Sequence, residues 1–75
     1  MKNAALIEAE RKLAAKQKAL ADIFAEAGPD RDMSQVKSLS GDTHEKVAEI
    51  RKMNAELNDL AAEVKNATDL EAIAA

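Results

Sequence analysis

The chain has 75 residues, 14 acidic and 11 basic side chains, a net charge of −3, one aromatic residue and no cysteine. That size supports one small domain, in which neither a disulfide nor a thiolate metal site can supplement a modest core. The acidic balance and the absence of Trp and Tyr argue against a general nucleic-acid binder. No stretch approaches the eighteen consecutive apolar residues of a membrane span. The opening "MKNAALIEAERK" meets Glu8 and Glu10 too early for a secretory signal, so a cytoplasmic protein is expected. Of the 35 apolar residues, 17 are alanine, which leaves few large side chains to bury. Self-association or docking onto more protein is the expected remedy.

Residues 3–27 are rich in Ala, Leu, Glu, Lys and Gln, with no Gly or Pro, and predict a long helix. Gly28 and Pro29 stop it. Leu6, Leu13 and Leu20 recur every seven residues, joined by Ala9 and Ile23 and flanked by Phe24. Lys16 interrupts that stripe. Residues 28–42, "GPDRDMSQVKSLSGD", are long for a structureless loop in a small domain. Met33, Val36 and Leu39, spaced by three behind Asp32, predict a single helical turn tucked across one end of a helix pair, with an extended segment as the alternative.

A second helix is predicted from about 43 to 67. Asp42 and Glu45 have the spacing of a capping box. Ile50, Leu57 and Val64 occupy one heptad position and Met53, Leu60 and Ala67 the other, with Val47 extending the stripe toward the start. Leu70 and Ile73 fall beside this seam, and Thr68 with Glu71 repeats the capping pattern, so a kink or fresh short helix is expected over 68–75.

The fold expected is therefore all-α, two long amphipathic helices closing as an antiparallel hairpin or coiled coil. Charge favours that pairing: residues 1–20 carry five basic and two acidic groups, and residues 53–75 carry one basic and five acidic. Glu49, Glu56 and Glu63 line one flank of the second seam, while Val47, Asn54, Ala61 and Thr68 line the other without a base. The glutamates are a solvated face or a landing strip for bases such as Lys12 and Lys16. Glu8 with Lys12, and Asp42 with Lys46, have the i, i+4 order of helix-stabilising ion pairs.

No chemistry is legible. His44 is the single histidine, in a helical first turn; Ser34, Ser38 and Ser40 sit in the connector without a neighbouring base; no Glu-x-x-His pair or glycine-rich phosphate loop occurs. A non-enzymatic protein without cofactor or metal is expected. The residues that carry association are expected to be Leu6, Leu13, Leu20, Ile23, Phe24, Val47, Ile50, Met53, Leu57, Leu60 and Val64.

The order of an Ala-Leu-Lys-Glu helix, then "GPDRDMSQVKSLSGDT", then "KVAEIRKMNAELNDLAAEV" resembles the N-terminal scaffolding, or delta, domain of tailed-bacteriophage major capsid proteins. The resemblance covers nearly the whole chain, its most specific parts being "GPD" with Asp32, "GDT" at 41–43 and "EIR" followed by "NAEL". It implies a module that self-associates inside the immature shell in the host cytoplasm and guides procapsid assembly. Its implied partners are other copies, the capsid fold of the parent protein and a maturation protease. With no capsid fold after Ala75, an isolated scaffolding segment or a separate protein with similar helices is expected. The alternatives are a free-standing helical adaptor that binds a partner helix and a small RNA-binding hairpin dimer.

Overall fold

The computed structural model describes residues 3–75 and contains two helices, α1 (Ala4–Ala27) and α2 (Thr43–Ala74), joined through a 3-10 turn at Met33–Gln35. Lys2, one of the five bases counted above, lies outside the described residues. The chain is all-α, and the helices pack along each other as an antiparallel hairpin 49 × 18 × 17 Å. Two bonds, one at the start of α1 and one at its middle, set the orientation. Asn3 Nδ2 donates to Glu71 Oε1 at 2.6 Å, and Lys16 Nζ reaches Glu56 Oε2 at 2.7 Å. This register lies within one helical turn of the pairing of Leu20 with Ile50, Leu13 with Leu57 and Leu6 with Val64 that the two heptad stripes suggest.

Each helix begins on a side-chain cap. Asn3 Oδ1 accepts from the Leu6 amide at 2.7 Å, and Asp42 Oδ1 accepts from the Glu45 amide at 2.8 Å. Glu45 reaches back to the Asp42 amide at 3.4 Å, completing the capping box expected from sequence. Gly28 ends α1 with φ 77°, a left-handed conformation that suits glycine, and its amide donates to the Phe24 carbonyl.

Gly41 is the tighter case. It has φ 98°, and a Cβ there would come within 2.9 Å of the Glu45 Cβ. Gly41→Ala should therefore cost about 1–2 kcal/mol for the backbone alone and loosen the α2 cap as well. A thermal melt of this variant within error of the parent would show that the turn relaxes freely.

The core sits at the closed end. Ile23, Ala27, Met33 and Val36 are buried together, and Leu39, Val47, Ile50 and Met53 pack against them. The connector's helical turn thus forms where Met33, Val36 and Leu39 predict it, capped by Asp32, although Leu39 joins the core from beyond the turn. Arg31 adopts a left-handed φ of 56°, with its guanidinium 2.9 Å from the Gly28 carbonyl and 5.3 Å from the centroid of the Phe24 ring.

One expected boundary is corrected. α2 has no fresh start near residue 68 and continues as helix to Ala74. Nothing between Asn66 and Ala75 is a helix breaker, and Glu71, the partner of Thr68 in the expected cap, is engaged across the hairpin. Glu71 takes the Asn3 amide, and Asp69 pairs with Lys65 at 2.9 Å. Leu70 and Ile73 do fall beside the seam, 66% and 80% exposed.

Candidate functional surface

The eleven residues expected to carry association divide into three groups. Leu6, Leu20 and Ile23 on α1 are buried. Leu13 on α1 and Val47, Ile50, Met53, Leu57, Leu60 and Val64 on α2 are half-buried. Phe24 is a correction: it retains 38% of its surface and takes Arg31 over its ring instead of a place in the seam. With Leu20, Ile23 and Ala27 turned inward, the helical period leaves Phe24 at the edge of that stripe.

Burial is thus lopsided. α1 contributes five buried residues to the interior, whereas the one buried residue of α2 is Lys46. A two-helix pair covers each seam along a single line, so residues on either flank of that line remain open to solvent.

Lys46 does not pair with Asp42 as its spacing suggests. Its stem runs under the connector, and Nζ donates to the carbonyls of Met33 at 3.0 Å and Val36 at 2.9 Å. The Met33 carbonyl also accepts from the Val36 amide at 3.1 Å, and the Val36 carbonyl lies just past the 3-10 turn, where helix-end carbonyls lack intrahelical donors. A lysine in a helical first turn reads in sequence as a solvated charge, and nothing local distinguishes this one.

Glu26 holds the same connector from α1. Its carboxylate accepts from the amides of Lys37 and Ser38, each at 3.1 Å, and from the Ser38 hydroxyl. Lys46 therefore takes the connector's carbonyls and Glu26 its amides. The Ser38 hydroxyl, and then the two amides, hold the Glu26 carboxyl below its ordinary value against opposition from Asp22. Asp32, bonded to Ser34, and Glu56, bonded to Lys16, are lowered too.

For carboxylates lowered in the folded state, the stabilising contribution is complete above the unfolded value and fades as pH falls through the folded one. Melting temperature should therefore stay level near neutrality and drop below the ordinary glutamate value of 4.5. Glu26→Gln should flatten that drop. An acid profile unchanged by this variant would assign the effect to other carboxylates.

The glutamate row receives a mixed answer. Lys16 bridges the seam to Glu56, while Glu49 and Glu63 are exposed. An open groove of about 550 Å³ runs beside the bridge, lined by Arg11, Lys12, Ala15, Lys16, Ala19, Glu56, Asp59 and Leu60. Glu8 bonds Arg11 at 3.0 Å and not Lys12, its guanidinium partner lowering the carboxyl. The fork geometry of arginine at i+3 suits that carboxylate.

His44 is exposed in the first turn of α2, and Ser34 and Ser38 are held by Asp32 and Glu26. Among the described residues no three His, Cys, Asp or Glu side chains cluster as metal ligands, and no helix is long and apolar enough to cross a membrane. No known family, curated protein or solved structure matches this chain.

Proposed function

We propose that the chain is a non-enzymatic assembly module that works by helix-mediated self-association. The observation that carries this reading is the half-buried seam of α2, in which Val47, Ile50, Met53, Leu57, Leu60 and Val64 all retain solvent-accessible surface in the isolated hairpin. Apolar surface left at heptad spacing is stabilised when further helix covers it.

The biological setting follows from resemblance. "GPD" with Asp32, the "GDT" at 41–43 and "EIR" with "NAEL" are similar to phage capsid scaffolding domains, which makes this a segment that guides procapsid assembly inside the immature shell. In that setting many copies tethered to one shell reach a high effective concentration, so each contact can be weak. The acidic charge also disfavours retention on packaged DNA.

Sedimentation equilibrium over a wide concentration range, followed by interference optics because the chain has no Trp or Tyr, tests the reading. Reversible self-association is expected, and Leu57→Glu should abolish it while lowering helix content, because the new carboxylate enters the seam. A helical monomer at every concentration would overturn self-association by this chain. A stoichiometric complex with a different helical protein would favour the adaptor reading.

A further inference from the structure

The groove beside the Lys16–Glu56 bridge has two opposite charges left on its rims. Lys16 is level with Glu56, so antiparallel pairing puts Lys12, one turn earlier on α1, level with Leu60, one turn later on α2, and beside Asp59. Lys12 and Asp59 are exposed and line the groove from its two sides, above Ala15, Ala19 and Leu60. Among the described residues neither charge makes a hydrogen bond or an ion pair. Glu8, one turn before Lys12, is taken by Arg11, and the charged residues within one turn of Asp59 on α2 are Glu56 and Glu63.

Accepting the self-association reading above, we infer that a second copy of the chain docks in this groove. A two-fold axis along the length of the hairpin relates the copies, so that Lys12 of each meets Asp59 of the other.

Charge pattern is the first observation that chooses this occupant. A base on the α1 rim and an acid on the α2 rim, at one level, form a pattern that is its own complement. Turned over about its long axis, an identical hairpin sets Asp59 over Lys12 and Lys12 over Asp59, with both closed ends together. Like charges approach at the two ends, Glu63 with the partner's Glu8 and Glu49 with the partner's Glu26. Each of those pairs has a base beside it, Arg11 on Glu8 and Lys52 one turn from Glu49.

The second observation is the low wall of the groove. Ala15 and Ala19 follow each other by one turn on α1, and their short side chains let a partner helix approach the half-buried Leu60.

Orientation follows from which carboxylates lack a bond. Rotation about the perpendicular axis would stack α1 on α1, where the carboxylates on this side are Glu8, Asp22 and Glu26. These are bonded to Arg11, Lys18 and the connector. α2 offers Asp59 to Lys12 with no existing bond to break.

The test is a charge swap read by sedimentation equilibrium, with helix content checked by circular dichroism. Lys12→Glu and Asp59→Lys each set like charge against like at both contacts, and each chain alone should associate about tenfold or more weakly than the parent. An equimolar mixture of the two variants should recover to within about threefold of the parent, because in the mixed dimer both contacts again join opposite charges. A defect confined to one hairpin's own fold is not rescued by mixing. Arg51→Glu, on the exposed outer side of α2, should leave association within about twofold.

A parent chain that associates while neither Lys12→Glu nor Asp59→Lys weakens it, or while Arg51→Glu weakens it equally, would overturn this groove but not self-association. Weakening without recovery in the mixture would overturn the Lys12–Asp59 contact and the stacking of α1 on α2. A parent chain that never associates would remove the underlying reading itself.

Discussion

Ile23→Ala should be the most damaging single truncation in the chain. Ile23 is 3% exposed and lies in the closed-end cluster where α1, the connector and α2 meet. Emptying such a site removes the transfer energy of the lost methyl groups and leaves a cavity, together about 3 kcal/mol. At roughly 4–8 °C per kcal/mol for a domain of this size, the melting temperature should fall by about 15 °C or more. Ile73→Ala provides the comparison: this isoleucine is 80% exposed, and its loss should cost less than about 0.5 kcal/mol. Thermal melts followed by circular dichroism read both. Equal losses would mean that the closed end is not the principal core.

Lys46→Met should be the second largest effect, through a different mechanism. Methionine preserves most of the stem's packing but removes the ammonium that donates to the Met33 and Val36 carbonyls. The Met33 carbonyl keeps the Val36 amide as a donor, but the Val36 carbonyl loses its lysine donor, and together the two lost bonds should cost about 2 kcal/mol. The loss should be local at first. The Gln35 and Val36 amides, bonded to the Asp32 and Met33 carbonyls within the 3-10 turn, should exchange with solvent much faster, while amides in the middle of α1 change less. Replacing a buried ion by an apolar group is sometimes neutral or stabilising, and that outcome is equally informative. A variant as stable as the parent with a protected turn would show that the connector is held by Met33, Val36 and Glu26 without the lysine.

These two residues illustrate how much of the molecule its sequence made legible. The stripe containing Ile23 was readable because helix periodicity is local: apolar side chains three and four apart share a face whatever that face packs against. The same holds for the Asp42–Glu45 cap, the stop at Gly28 and the helical turn behind Asp32. Lys46 was not readable. Its importance depends on two carbonyls ten and thirteen residues earlier in the chain, and a lysine in a first helical turn has no local signature of burial. Glu26 is the same kind of case, its partners lying eleven and twelve residues away.

The missed continuation of α2 past residue 68 has a related cause. Thr68 and Glu71 have the spacing of a cap, but spacing alone does not show that Glu71 is occupied by Asn3 across the hairpin. Phe24, which flanks the α1 stripe in sequence, was counted with the associating residues; packing leaves it partly exposed under Arg31.

By itself, then, the sequence determined the helices, their apolar stripes, their caps and the opposite charge of the two halves, since each arises from residues within a turn or two of one another. Tertiary structure decided which charges work inside and which remain in water: Lys46 and Glu26 on the connector, and Lys16 on Glu56. Such choices depend on distances between segments far apart in the chain, where a charge is stabilised only if folding brings a partner within hydrogen-bond reach.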